Sequence, residues 1–171
     1  MGFLRSSLLV ICLGLVGIFS CHAIGRIGNN TFVNPDEGYT ASIPRNFAIA
    51  FNRPDGGIGM RSIFPSSPNL TPNEIRAYDL KARYPELAGK NPQEIVKYFI
   101  EAKGNTKYED VHWTQCGESI LGVSSGLLIS IATWGSGHGL LLVGNNTPEV
   151  GYSIQSMMQT LQIDPAKCEK K

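Results

Sequence analysis

The sequence predicts an α+β fold, in which an antiparallel β-sheet is flanked by two to three helices. Two apolar runs in its last third, residues 127–134 (LLISIATW) and 140–143 (LLLV), are separated by the glycine-rich residues 135–139. Glycines tolerate the positive φ angles of tight turns, so this pattern indicates a β-hairpin. Apolar residues then recur at helical spacing over residues 150–161. That helix needs an apolar surface, and the hairpin is the nearest one.

The closing helix also has a clear start signal. Thr147 is a favourable N-cap residue, and Pro148 stands at the first helical position, where its missing N–H costs nothing.

The chain before residue 65 is predicted to form short strands. Apolar and polar residues alternate over residues 39–43, which end at Pro44, and again over residues 47–51, which end at the turn-forming sequence NRPDGG. Residues 58–64 alternate less strictly. A further short strand is predicted at residues 31–33.

Two helices are predicted in the middle of the chain. Residues 71–74 (TPNE) and 91–94 (NPQE) each combine a capping residue, a proline at the first helical position and a glutamate three residues after the cap. The first helix is predicted to reach residue 83 or 84, since Pro85 disfavours helical geometry before it. The second is predicted to end near Gly104.

The stretch between these helices and the hairpin is predicted to return to β-structure. Residues 107–116 alternate moderately and indicate a strand, and residues 118–123 indicate a strand or a bend.

Composition is typical of one globular domain without a nucleic-acid partner. The chain has 171 residues, of which 42% are hydrophobic, and a formal net charge of +1. A domain of this length buries a sizeable core, whereas nucleic-acid binding normally requires a basic patch. We divide the chain into a secretion signal (1–23), an N-terminal linker with a short strand (24–36), a single α+β domain (37–165) and a charged tail (166–171).

The first 23 residues are predicted to direct export. Arg5 precedes an apolar run over residues 8–19, which is too short to span a bilayer. Small residues near the end permit cleavage after Ala23. Alternatively, residues 18–21 (IFSC) resemble a bacterial lipobox, in which Cys21 would be acylated. We favour a soluble periplasmic or secreted product because Phe19 is bulky for that motif. Contact with the membrane is expected only if Cys21 carries lipid.

Two cysteines, Cys116 and Cys168, remain in the exported part. In an oxidising compartment such a pair is more often a disulfide than a metal or catalytic site. The bond would pin the tail onto the sheet and, in the chain-entropy model, stabilise the fold by about 4 kcal/mol. Two unpaired thiols are the open alternative.

The order of elements resembles the PsbP-like superfamily and, within it, the bacterial DcrB-type exported domains. The residues that carry the resemblance are the opening strand GYTASIP at 38–44 with Phe47, the hairpin over 127–143, and GNNTP at 144–148 leading to Leu161. The chain lacks the Ser-Phe ending that commonly follows the last helix of that family. The resemblance implies a sheet flanked by helices and roles in binding, assembly or inhibition. It transfers no functional residue, because no motif marks one.

Two sequence patterns resemble active-site motifs of enzymes. Residues 122–126 (GVSSG) match the G-x-S-x-G nucleophile elbow. The elbow requires a helix after it, but a strand-like run follows here, so a glycine-bounded turn is the better interpretation.

Cys116 and His138 are the stronger candidate for a catalytic pair, because residues 138–145 are similar to the histidine strand of NlpC-type cysteine peptidases. That chemistry needs an activated thiolate, often at a helix start, and no helix follows Cys116. We keep a cysteine peptidase or amidase as the alternative.

We expect no metal site and no cofactor. His112 and His138 lack ligand spacing with cysteines or carboxylates, and the acidic pair Asp36–Glu37 has no calcium-loop pattern, so a solvated turn is expected there.

The leading hypothesis is a non-catalytic exported module that acts by protein–protein contact with an envelope protein of a bacterium. An inhibitor or immunity-type role is a subsidiary hypothesis. A surface-anchored structural lipoprotein is a third possibility, decided by the state of Cys21.

Overall fold

The structure of the protein, a computed structural model, describes residues 26–28, 30–52, 57–63, 72–102, 107–113 and 116–168. The strands are β1 (Arg26–Gly28), β2 (Thr31–Asn34), β3 (Tyr39–Ser42), β4 (Phe47–Asn52), β5 (Ile58–Ser62), β6 (Glu74–Asp79), β7 (Lys107–Trp113), β8 (Gly117–Ser124), β9 (Leu127–Trp134), β10 (His138–Asn145) and β11 (Gln162–Ile163). The helices are α1 (Leu80–Arg83), α2 (Pro92–Ala102) and α3 (Pro148–Gln159), with 3₁₀ turns at Pro85–Leu87 and Pro165–Lys167.

The strands form two antiparallel sheets, where the sequence predicted one. A seven-stranded sheet has the order β4-β5-β6-β10-β9-β8-β7, and a four-stranded sheet has the order β1-β2-β3-β11. The α+β class is therefore confirmed. The second sheet escaped prediction because β11 is only two residues long and joins β3 from the far end of the chain. The segment over residues 24–36, predicted as a linker with one strand, contributes β1 and β2 to this small sheet.

The predicted hairpin is the centre of the large sheet. Strands β9 and β10 pair from His138 opposite Trp134 to Asn145 opposite Leu127, around a turn in which Gly135 and Gly137 have φ angles of +49° and +83°. Alternate residues of a strand point to opposite faces of the sheet. Both faces of this hairpin are buried, which explains its continuous apolar sequence.

Helix α3 and the small sheet cover one face of the large sheet. Val150, Ile154 and Met157 pack with Leu128 and Leu142 in one core, as the sequence predicted. Phe32, Tyr39 and Ile163 from the small sheet complete that core around Trp134.

Helices α1 and α2 cover the other face. Ile95, Val96 and Phe99 of α2 pack against Ile131 and Leu141 of the hairpin. The predicted capping box of α2 is present: Asn91 Oδ1 accepts from the Glu94 N–H, and Glu94 Oε2 accepts from the Asn91 N–H, both at 2.9 Å.

The helix predicted to start at Thr71 is wrong. Residues Glu74–Asp79 form the central strand β6, paired with β5 and β10, and only Leu80–Arg83 are helical. Ile75 and Ala77 alternate onto the buried face, and the Glu74 side chain pairs with Arg61 and Arg76 instead of capping a helix. Two flanking strands stabilise β6, and this tertiary pairing overrides the local capping signal. The short helix is capped by Asp79.

Both edge strands of the large sheet are irregular. The register shifts between Ile49 and Phe51 in β4, and between Glu109 and Val111 in β7. Bulges of this kind twist an edge and hinder pairing with another chain.

Several sequence predictions lie outside the described residues. They include the secretion signal over residues 1–23, with Cys21, and the last lysines of the tail. Within the part of the chain that the structure describes, no helix has the length and apolar composition needed to cross a membrane.

Candidate functional site

The predicted pairing of Cys116 with Cys168 is present in the structure. The two Cα atoms lie 5.6 Å apart and the sulfurs are bonded. Cys116 stands immediately before β8, so the bond ties the segment after β11 to the large sheet. The tail also lies against the hairpin turn, because the backbone oxygen of Lys167 occupies the space that a side chain at Gly135 would need.

The structure does not bring Cys116 and His138 together as a catalytic pair. Gly117, next to Cys116, pairs with Trp134 of β9, and Trp134 pairs with His138 of β10, so one strand separates the two residues. Two strand spacings amount to roughly 10 Å. The sulfur of Cys116 is engaged in the disulfide and the imidazole has another partner, so the thiolate–imidazole contact that the peptidase alternative requires is not formed.

The partner of His138 is Glu37. Its carboxylate oxygen Oε2 lies 2.9 Å from His138 Nδ1 and accepts from the Gly139 N–H at 3.3 Å. Glu37 is only 4% exposed, which corrects the expectation of a solvated turn at Asp36–Glu37. Strand β6 ends at Asp79, opposite Leu140 of β10. The Glu37 carboxylate therefore accepts from the next residue of β10, Gly139, in place of a further residue of β6.

The turn that carries Glu37 is fixed by its own hydrogen bonds. Asn34 Oδ1 accepts from the backbone N–H groups of Asp36 and Glu37, both at 3.1 Å, and Gly38 closes the turn with a φ angle of +71°. The Glu37 carbonyl then accepts from Trp134 Nε1 at 3.0 Å. Glu37 is thus held through both its backbone and its side chain.

Two groups near Glu37, the Asp79 carboxyl and the Tyr39 hydroxyl, have raised pKa values. The pKa of the Asp79 carboxyl is raised, mainly because burial removes it from water and secondly because of the charge on Glu37. The pKa of Tyr39 is raised well above its ordinary value, again mainly by burial. Its ring packs edge-on against Trp134 at 5.5 Å between centroids.

This polar cluster closes the end of the core and offers little chemistry. The Glu37 carboxylate is buried, and its contacts run to groups of the same chain. Among the described residues, no group of three or more His, Cys, Asp and Glu side chains is arranged to hold a metal ion. His112 lies on β7, and only its backbone position is described. The cluster is therefore best explained as a structural joint between the two sheets.

A second feature is open to solvent. A groove of about 440 Å³ lies between α3 and strands β8 and β9. Pro148, Gly151, Gln155 and Met158 form one stripe of α3 along it. Ser119, Leu121 and Ser130 contribute from the strands.

The groove exposes large apolar side chains and carries no charge on the described residues that line it. Tyr152 is 74% exposed and Leu121 is 38% exposed, both high for large apolar residues. Two other hollows flank the small sheet, and each includes a charged residue, Arg45 in one of about 640 Å³ and Asp164 in one of about 440 Å³. The groove beside α3 is therefore the candidate binding site.

Sequence reasoning missed both features for identifiable reasons. Glu37 and His138 are 101 residues apart, and an acidic pair in a polar turn gives no sign of burial. Met158 lines the groove and also packs against the core, where its helical spacing predicted it. The available signal for the groove was Tyr152, an aromatic residue of α3 that lies outside the buried stripe.

Comparison of the sequence with protein-family models and with curated protein sequences finds no match for this chain.

Proposed function

We propose that this protein is a non-catalytic binding module that acts through protein–protein contact at the bacterial envelope, and that its contact surface is the groove beside α3. The observation that carries the proposal is the exposure of Tyr152 and Leu121 on the two sides of a groove whose described lining residues carry no charge. Clefts lined mainly by apolar side chains are typical sites of contact with another molecule. The resemblance to DcrB-type exported domains also favours a binding role over a catalytic one.

Partner binding through a sheet edge is less favourable in this protein. Both edges of the large sheet carry register shifts, and the outer strands of the small sheet, β1 and β11, are only three and two residues long. Short and bulged edges discourage the addition of a further strand. Side-chain contact in the groove remains the better mode.

No observation favours the cysteine peptidase alternative. Its nucleophile would be Cys116, which is bonded to Cys168, and its base would be His138, which contacts Glu37. The proposal includes three further expectations: that the chain is exported, that the product is soluble or lipid-anchored, and that its partner is an envelope protein. An inhibitor or immunity-type role would use the same contact if the partner is an envelope-targeting enzyme.

Site-specific photocrosslinking in bacteria that produce the protein tests the proposal. A benzophenone amino acid is introduced at Tyr152, in the groove, and separately at Ile100, which is 49% exposed on α2 across the sheet. We expect a discrete protein adduct from position 152 and none from position 100. Equal labelling at both positions, or none at 152, would refute the groove as the contact surface.

A further inference from the structure

Gly151 occupies a position in α3 where the fold has no need of glycine. A Cβ atom built there would meet Leu128 Cδ1 at 3.6 Å, an ordinary contact distance, and among the described residues it would meet no other atom within 4 Å apart from its neighbours in the helix. Glycine inside a helix is unfavourable relative to alanine, because it leaves the unfolded chain more freedom. Gly144 differs, since a Cβ atom there would lie 2.5 Å from Val150 Cγ1. Packing within the chain therefore explains Gly144 and leaves Gly151 unexplained.

The position of Gly151 supplies the explanation. It lies on the stripe of α3 that lines the groove, between Pro148 and Gln155. Without a side chain, the helix backbone forms part of the groove wall. Glycine is characteristic of sites where another group must approach a backbone closely.

The backbone around the groove determines what kind of segment fits. Strand β8 is already paired with β7 and β9, and β9 with β8 and β10. The hydrogen-bonding groups of α3 are used within the helix. An extended peptide in the groove would therefore find few backbone partners and would bury unpaired N–H and C=O groups. A helix satisfies its own backbone groups and avoids this cost.

Size and charge are consistent with a helical segment. The stripe from Pro148 to Met158 is about 15 Å long, which matches about ten helical residues at 1.5 Å each. Because the described lining residues are uncharged, a charged side chain entering the groove would lose its hydration without gaining an opposite charge. Gln155 adds an exposed polar side chain to the lining.

We propose that the groove receives an amphipathic α-helix of the partner protein, about three turns long, whose uncharged apolar face packs against Gly151. This mode corresponds to the helix-in-groove class of peptide recognition. This proposal rests on the proposed binding function and adds that the segment of the partner bound in the groove is helical.

Peptide display tests the occupant directly. Two libraries of twelve-residue peptides are selected against the exported chain purified without reductant: one fixed in an amphipathic helical frame with a randomised face, the other in an extended hairpin frame. Selected peptides are then measured against Gly151→Leu, which fills the groove, and against Ile100→Ala as the matched control on the opposite helix. Circular dichroism and a urea titration establish that each variant is folded.

We expect binders from the helical library, with uncharged residues on their contact face. Their affinity should fall at least tenfold on Gly151→Leu and stay within twofold on Ile100→Ala. Binders that come only from the extended library, that place charged residues on the contact face or that ignore Gly151→Leu would overturn the proposal, as would the absence of binders from both libraries. If crosslinking at position 152 succeeds while the helical library fails, the binding function stands and the helical occupant is wrong. If crosslinking also fails, both are wrong.

Discussion

Replacing Gly151 by alanine should stabilise the protein. The added methyl group would touch Leu128 Cδ1 at 3.6 Å without overlap, and the backbone there is already helical. Alanine is favoured over glycine within a helix by about 0.5–1 kcal/mol. In a domain of this size each kcal/mol raises the melting temperature by about 3 °C, so we expect a rise of about 1.5–3 °C.

Urea titration monitored by circular dichroism measures this change. The midpoint should move to higher urea concentration with an unchanged slope, since the surface exposed on unfolding is nearly the same. Gly144→Ala is the matched control, because its Cβ atom would lie 2.5 Å from Val150 Cγ1 and 3.0 Å from the Glu74 carbonyl oxygen. Overpacking of this kind costs about 1–3 kcal/mol.

A loss of stability in Gly151→Ala would refute the reasoning. It would mean that α3 needs glycine to pack on β9, and Gly151 would then have an explanation inside the fold. The argument for a partner that approaches the helix backbone would lose its basis. If Gly151→Ala were more stable but bound the partner more weakly, glycine would be kept at this position for binding and at a cost in stability, as expected at a binding surface.

Three further predictions concern the cross-link, a buried charge and a helix cap. Replacing both Cys116 and Cys168 by alanine opens a loop with a sequence separation of 52, and should lower the free energy of unfolding by about 4 kcal/mol and the melting temperature by about 12 °C; a loss below about 1 kcal/mol would show that the chain-entropy estimate does not apply. Asp79→Asn keeps an oxygen that can cap α1 but removes a carboxylate whose pKa burial has raised, so at neutral pH the variant should melt at a higher temperature than the wild type. A raised pKa makes ionisation costly in the folded state, so wild-type stability falls as the pH rises through that pKa and the two melting curves should converge in acid; a difference independent of pH would contradict this. Thr147→Ala removes the oxygen that accepts from the Val150 N–H at 3.3 Å and should cost about 1 kcal/mol by urea titration, whereas Thr147→Ser should retain most of it.

The parts of the fold that could be predicted are those with local causes. The hairpin around Gly135 and Gly137, and the helix after Thr147, are specified by turn glycines, a capping residue and apolar periodicity within a few residues. The same kind of signal correctly located α2 from its Asn91 cap.

Strand β6 shows where local signals fail. Residues 71–74 and 91–94 have nearly the same capping pattern, yet residues 74–79 form a strand between β5 and β10. What decides between the two outcomes is the availability of partner strands, which the sequence of the segment itself does not contain. The joint between Glu37 and His138 could not be predicted for a similar reason, since the residues meet only after both sheets have assembled.

The small sheet has a consequence for how the chain folds during synthesis. Strand β3 borders β2 on one side and receives β11 on the other, where Thr40 pairs with Gln162, about 120 residues later in the chain. A chain that emerges N-terminus first must therefore hold the β2–β3 hairpin with one edge unpaired until β11 has been made. Ile163 enters the core, and Cys168 reaches Cys116, only at that stage. Folding of this protein during synthesis is thus incomplete until β11 and the residues up to Cys168 have been made.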